Sequence, residues 1–113
     1  FKKGYLEFKD NSLNLNLKID KIYLEDIQNP EYNLINSINS VKMPVFLLRC
    51  KQDMTVKKEE FELLKNNILS DYSEIVYIPN TGHTFGISEK MQNSTPYLDF
   101  ALITTINFFK RNE

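Results

Sequence analysis

Asp53 and His83 are the two residues of this chain whose types and positions could together perform chemistry. Each follows a short apolar run, residues 44–49 for Asp53 and residues 75–78 for His83. A carboxylate beside a histidine accepts a hydrogen bond from Nδ1–H, fixes the tautomer of the ring and stabilises the imidazolium that forms when Nε2 takes a proton. Such a pair activates a serine hydroxyl, which is a weak nucleophile without a base. The two residues therefore predict acid–base assistance to a nucleophile.

The segments around these residues predict a βαβ unit. Residues 44–49 form a nearly continuous apolar run that opens with proline, which is typical of a buried parallel strand. Residues 57–69 carry apolar side chains at helical spacing, with acidic residues early and a lysine late, which predicts an amphipathic helix. Residues 75–78 predict a second strand, and residues 97–110 predict a closing helix that covers one face of the sheet. The predicted fold class is α/β, with the two strands parallel.

Strand geometry predicts that Asp53 and His83 lie side by side. The loops at the carboxyl ends of parallel strands emerge at the same edge of the sheet. Adjacent strands lie about 5 Å apart, so the two side chains are within reach of each other. Each residue also has a simpler interpretation: Asp53 as the N-cap of the following helix, and His83 as a structural or merely exposed histidine. The helix is expected to begin near Lys57, which disfavours the capping interpretation.

Two segments resemble the C-terminal part of the α/β-hydrolase superfamily of serine hydrolases, which includes esterases, lipases and serine aminopeptidases. Residues 41–53 (VKMPVFLLRCKQD) are similar to the penultimate strand and acid loop of that family, and residues 75–85 (IVYIPNTGHTF) to its last strand and Gly-His loop. The match covers roughly residues 41–111, and the acid precedes the histidine as it does in the family. By this resemblance Asp53 is the acid and His83 the base of a catalytic triad.

The resemblance implies the C-terminal portion of an α/β-hydrolase fold, with the last two parallel strands, flanking helices and a cap-like β-hairpin at the N-terminus. It also implies hydrolysis of an ester, thioester or peptide bond through an acyl-enzyme, with no metal or organic cofactor. The chain departs from the family at Arg49-Cys50, where the usual pair is His-Gly, and it contains no Gly-x-Ser-x-Gly. Residues 82–86 (GHTFG) have that spacing with threonine, but no strand-to-helix turn is expected there. The serine and the oxyanion hole are therefore expected from an upstream segment, and the 113 residues alone are expected to be inactive.

Residues 1–40 are predicted to form a cap or insertion, and residues 41–113 the hydrolase segment. Residues 5–8 and 13–19 alternate apolar and polar side chains on either side of a turn cluster at 10–12, which predicts a β-hairpin. The aromatic residues of this region either line a substrate pocket or pack the small core of the cap itself; they are Tyr5, Phe8, Tyr23 and Tyr32.

Composition and charge exclude several classes of partner. Fourteen basic and fifteen acidic residues give a net charge of −1, and neither sign forms a long run. This charge pattern disfavours nucleic acid as a binding partner. One cysteine and one histidine disfavour a structural zinc site made by this chain alone, and Cys50 is expected to be a small buried apolar residue. No apolar run is long enough to span a membrane and no signal peptide is visible, so a cytoplasmic location is expected.

Two parallel strands leave unpaired edges, so the segment is expected to associate with itself or to dock on the missing half of the hydrolase. The expected small-molecule partner is an ester, thioester or peptide substrate. The alternative function is a non-catalytic binding or interaction module that keeps the hydrolase outline. A receiver-like or flavodoxin-like domain also places acids at strand ends, but the chain lacks the required number of βα units and a phosphate-binding glycine loop.

Overall fold

A computed structural model describes residues 3–88, 90 and 93–113 of the chain. The contacts divide the chain into two compact units, Phe1–Leu34 and Ile35–Glu113. Among the described residues the architecture is mixed α/β, with one antiparallel and one parallel pair of strands. The elements, in chain order, are β1 Tyr5–Asp10, β2 Leu15–Asp20, α1 Lys21–Ile27, a 3-10 helix Pro30–Tyr32, α2 Leu34–Ser40, β3 Val45–Cys50, α3 Lys58–Asn66, β4 Ser73–Ile78 and α4 Pro96–Arg111.

The first unit is built on a β-hairpin in which β1 and β2 pair antiparallel along their full lengths. Asp10 closes the turn, because its Oδ1 accepts hydrogen bonds from the backbone N–H of Ser12 at 2.8 Å and of Leu13 at 3.2 Å. Asn14 takes the left-handed backbone conformation at the end of the turn, which asparagine tolerates better than most residues. The predicted hairpin is therefore confirmed.

The aromatic residues of the first unit do not form a core. Phe8, Tyr23 and Tyr32 are exposed, and no described residue of this unit is buried. Tyr5 is half-buried, with the Lys18 ammonium 4.7 Å from its ring centre. The expectation that these rings pack a core of the cap is wrong, because one hairpin and a short helix bury little apolar surface. Their role in a substrate pocket stays a prediction.

The second unit contains the predicted βαβ unit. β3 and β4 run parallel and in register, beginning with Val45 opposite Ser73. α3 connects them, and its first turn is closed by Glu60, whose carboxylate accepts a hydrogen bond from the backbone N–H of Lys57 at 2.8 Å. α3 ends at Asn66, which is earlier than the apolar pattern predicts.

α4 covers one face of the parallel pair. Ala101 packs with Cys50 and Ile78 in the buried core. Further along the helix, Phe108 stacks on Phe46 with the ring centres 5.1 Å apart. The closing helix predicted from the sequence is therefore confirmed, and its apolar residues pack against one face of the sheet.

α3 covers the opposite face. Its buried Phe61 lies edge-on to Tyr77, with the ring centres 5.6 Å apart. Successive residues of a strand point to opposite faces, so Tyr77 faces α3 while the next residue, Ile78, faces α4. The hydroxyl of Tyr77 also donates a hydrogen bond to Glu62 at 2.9 Å. The parallel pair is thus a thin layer between two helices.

The outer edges of β3 and β4 have no strand partner within the part of the chain that the structure describes. Such edges carry backbone N–H and C=O groups that another strand can bind. Self-association or docking on a further segment through these edges stays a prediction. None of the described helices has the length and apolar character needed to cross a membrane.

Replacing Phe108 with alanine is expected to lower the free energy of unfolding by about 3 kcal/mol. Removal of a buried ring loses the free energy of its transfer from water and also leaves a cavity. Phe108 is 4% exposed. Phe109→Ala is the matched control, since the neighbouring ring is 65% exposed and its loss is expected to change stability by less than about 0.5 kcal/mol. Urea unfolding measures both values. Equal effects of the two substitutions would contradict this packing of α4.

Candidate active site

The carboxylate of Asp53 is held by its own loop. Its Oδ1 accepts hydrogen bonds from the backbone N–H groups of Thr55 at 2.8 Å and Val56 at 2.9 Å. Aspartate readily forms such a local turn, and the turn uses only one of the two carboxylate oxygens. The N-cap residue of α3 is Lys57. Asp53 therefore does not cap that helix, and the capping interpretation is wrong.

His83 lies in a loop that is attached to the start of α4. The backbone N–H of Phe85 donates to the Gly82 carbonyl at 3.1 Å, and the Phe85 carbonyl accepts a hydrogen bond from Thr95 Oγ1 at 2.5 Å. Thr95 is also the N-cap of α4, since its Oγ1 accepts from the backbone N–H of Leu98. Phe85 has a φ of 56°, which is unusual for a bulky residue, and its ring packs against the buried core. The packing of Phe85 and the hydrogen bond from Thr95 together fix the conformation of this loop.

Backbone hydrogen bonds join the acid loop to the histidine loop. Lys51 N–H donates to the Ile78 carbonyl at 2.8 Å, and Gln52 N–H donates to the Thr81 carbonyl at 3.0 Å. A Cβ at Gly82 would lie 3.4 Å from the Gln52 carbonyl oxygen, which is the near limit of van der Waals contact, so the two loops lie close together here. The contact between the strands is thereby continued past their ends into both loops.

The structure brings Asp53 and His83 together. Oδ2 of Asp53 lies 2.9 Å from Nδ1 of His83. The Asp53 side chain is 10% exposed and the His83 side chain 51% exposed. The carboxylate is therefore shielded from water, while much of the imidazole faces outward.

The placement of a proton on Nδ1 of His83 follows from the partner of that nitrogen. An ionised carboxylate only accepts hydrogen bonds, so Nδ1 of His83 carries the proton. Nε2 of the neutral ring is then unprotonated, and no described residue is hydrogen-bonded to it. An exposed unprotonated Nε2 can take a proton from an attacking hydroxyl.

Hydrogen bonds lower the pKa of the Asp53 carboxyl below its ordinary value of 3.8. The bond with His83 is the largest cause, followed by that from the backbone N–H of Val56, with a smaller one from Thr55. Partial burial acts in the opposite direction and does not outweigh them. Asp53 is therefore ionised at neutral pH, which is the state that stabilises an imidazolium.

A cavity of about 220 Å³ opens beside the pair. It is smaller than a typical site for a whole small-molecule ligand, so it suits one group of a substrate. Phe85 borders it as well as packing under the loop. A larger cavity of about 450 Å³ includes neither Asp53 nor His83. The smaller cavity is lined by Leu48, Arg49, Cys50, Asp53, Val56, Phe61, His83 and Phe85.

Cys50 is part of the core. It is 3% exposed and packs with Ile78 and Ala101. Burial raises the pKa of the Cys50 thiol, and the negative charge of Asp53 raises it further. The thiol therefore stays protonated and is a poor nucleophile. The prediction of a small buried residue is confirmed.

The GHTFG segment, residues 82–86, is not a nucleophile elbow. Residues 83–86 form a turn, and the next helix among the described residues begins at Pro96. An elbow requires a strand that leads directly through a sharp turn into a helix. Thr84 therefore lacks the geometry of a nucleophile.

Arg49 and Thr95 support the site. Sequence reasoning noted Arg49 only as part of a departure from the hydrolase pattern, and it did not note Thr95. Arg49 is 6% exposed and donates to backbone carbonyls of the acid loop. For Arg49 the sequence signal was a charged residue within the otherwise apolar strand β3. For Thr95 the signal was a threonine directly before Pro96, which is typical of a helix start.

No three His, Cys, Asp or Glu side chains among residues 3–88, 90 and 93–113 lie close enough to hold a metal ion. Neither a scan against models of protein families nor a comparison with curated proteins finds a match to this chain. The assignment of the site therefore depends on its geometry.

Asp53→Asn is expected to destabilise the chain at neutral pH, and the difference from the wild type should vanish in acid. Because the pKa of the Asp53 carboxyl is lowered by folding, its hydrogen bonds stabilise the folded chain above pH 3.8, and that contribution is lost as the pH falls through the lowered pKa. Urea unfolding at neutral pH and at several values below 3.8 measures the difference. A difference that stays constant over this range would contradict the shift. As a control, His83→Ala should raise the pKa of Asp53 in an NMR titration.

Cys50 is expected to react very slowly with iodoacetamide in the folded chain and rapidly in urea. Burial denies access to the reagent, and the raised pKa of the thiol keeps the reactive thiolate scarce. The chain has one cysteine, so intact mass spectrometry reports its alkylation without ambiguity. Rapid alkylation under native conditions would show that the core opens at this strand end.

Proposed function

We propose that this chain is the acid–base part of a serine hydrolase of the α/β-hydrolase class, with the serine supplied by a segment outside these 113 residues. The observation that carries the proposal is the 2.9 Å hydrogen bond between Asp53 Oδ2 and His83 Nδ1. Loops that follow two paired parallel strands deliver the two side chains. Acid before histidine is the chain order of this class.

In the proposed reaction, Nε2 of His83 takes the proton of the serine hydroxyl as the serine oxygen attacks the acyl carbon of the substrate. The imidazolium then gives that proton to the departing alcohol, thiol or amine, and an acyl-enzyme remains. Water attacks the acyl carbon while Nε2 of His83 takes a proton from it, and the imidazolium then returns this proton to the serine oxygen as the acid product leaves. An ester, a thioester and a peptide bond can each be cleaved by these steps.

Asp53 stays ionised throughout the proposed reaction. Its carboxylate holds the Nδ1–H tautomer and stabilises the positive charge that His83 acquires. The lowered pKa of its carboxyl supports this role, because the proton of the imidazolium is not passed on to it. The donors that stabilise the oxyanion belong, in this proposal, to the segment that supplies the serine.

The second candidate function is a non-catalytic binding or interaction module. The absence of Gly-x-Ser-x-Gly from these residues favours it. In such a module the bond between Asp53 and His83 would hold the two loops together without moving a proton.

Labelling of the full gene product with a fluorophosphonate probe tests the proposal, because the probe reacts with an activated serine. We expect labelling of the wild type, loss of labelling in His83→Ala, and a loss of ester hydrolysis on the order of 10⁴-fold in Asp53→Asn. Asp71→Asn is the matched control, since it makes the same change in an exposed turn at the amino end of β4. This variant should keep both labelling by the probe and ester hydrolysis. No labelling of the wild type, or equal labelling of His83→Ala, would reject the hydrolase and favour the binding module.

A further inference from the structure

Arg49 is a buried cation that has no carboxylate partner in the described part of the chain. It is 6% exposed, and no carboxylate of the described residues forms an ion pair with it. Removing a charge from water is costly unless hydrogen bonds or an opposite charge compensate. Hydrogen bonds and contacts with neutral groups must therefore offset the cost of burying the guanidinium. The positions of these groups indicate the role of Arg49.

The neutral partners of Arg49 are two carbonyls of the acid loop and one aromatic ring. Nη1 donates to the Val56 carbonyl at 2.6 Å, and Nη2 lies 3.4 Å from the Asp53 carbonyl. Cζ lies 5.7 Å from the ring centre of Phe61, within the range of a cation–π contact. One side chain thus bonds to both ends of the four-residue segment 53–56.

The same four-residue segment aligns the Asp53 carboxylate. Val56 donates its N–H to Oδ1 of Asp53 while its carbonyl accepts from Arg49. Asp53 presents Oδ2 to His83 while its own carbonyl faces Arg49. The guanidinium and the imidazole therefore hold the loop from two sides.

We propose that Arg49 is a positioning residue, which holds segment 53–56 through the carbonyls of Asp53 and Val56 so that the Asp53 carboxylate meets His83. That this placement serves catalysis rests on the proposed function. Arg49-Cys50 stands where the hydrolases that this segment resembles usually have His-Gly, and in this chain the Arg49 side chain bonds to the loop that follows. Lysine is a poor substitute, because its single ammonium does not have the planar fork that reaches two carbonyls at once.

Three variants test the positioning role. Arg49→Met removes the donors and keeps an apolar stem, Arg49→Lys keeps the charge, and Arg111→Met removes an arginine from the exposed ion pair with Glu74 as the matched control. Proton NMR detects the hydrogen-bonded Nδ1–H of His83 far downfield, and the chain has one histidine. We expect this resonance in the wild type and in Arg111→Met, a weakened one in Arg49→Lys and none in Arg49→Met. The pKa of the Asp53 carboxyl should rise toward 3.8 in Arg49→Met.

A merely structural role would lower the stability of Arg49→Met but leave both signals unchanged in the folded chain. A folded Arg49→Met that keeps the His83 resonance would therefore overturn the proposal. If Arg49→Met does not fold, Arg49→Lys decides, since a full-strength resonance overturns the proposal and a weakened one supports it.

Kinetics of the full gene product separate this inference from the proposed function. Arg49→Met is expected to lower kcat about 10-fold to 100-fold at unchanged KM, because a displaced acid misorients the base without touching the substrate. Loss of the resonance in Arg49→Met, together with a wild type that hydrolyses no ester, would reject the hydrolase and keep the positioning role. An active wild type with an unchanged resonance in Arg49→Met would reject the role of Arg49 alone.

Discussion

The in-register parallel pairing of β3 with β4 is the constraint on which the rest of the site depends. It sets Cys50 opposite Ile78 at the carboxyl ends of the two strands, so both loops begin at the same level. A slip of one residue would move one loop about 3.3 Å along the strand and turn every side chain to the other face. The hydrogen bond between Asp53 and His83 would not survive such a shift. Burial of Ile78 against one helix and packing of Tyr77 against the other oppose it.

The helices on the two faces contribute to the site in different ways. α4 packs against the sheet and, through Thr95, ties the histidine loop to its own first turn. α3 carries Phe61, whose ring contacts the guanidinium of Arg49, and Arg49 in turn bonds to the acid loop. Each loop is therefore anchored to the helix that follows it as well as to the strand before it. A two-stranded sheet is weak by itself, and these anchors help to hold the two loops in place.

The pair is asymmetric in its exposure to water. The carboxylate of Asp53 is shielded and both of its oxygens form hydrogen bonds, whereas the imidazole of His83 is half exposed. A shielded charge interacts more strongly with its partner than one in bulk water. The outward edge of the ring stays open to an incoming group. Burial raises the pKa of the neighbouring Cys50 thiol and the charge of the same carboxylate adds to the rise, so the thiol stays protonated.

The sequence by itself determined the hairpin, the βαβ unit, the closing helix and the meeting of Asp53 with His83. Each of these follows from local periodicity, or from the rule that parallel strands deliver their loops to one edge. It did not reveal α1, Lys21–Ile27, which follows β2 without a glycine or proline to mark the change. Only the tertiary structure showed that Arg49 is buried against the acid loop and that Phe8, Tyr23 and Tyr32 of the first unit are exposed. Periodicity reports which face a side chain takes, but its partners depend on segments brought together only when the chain is folded.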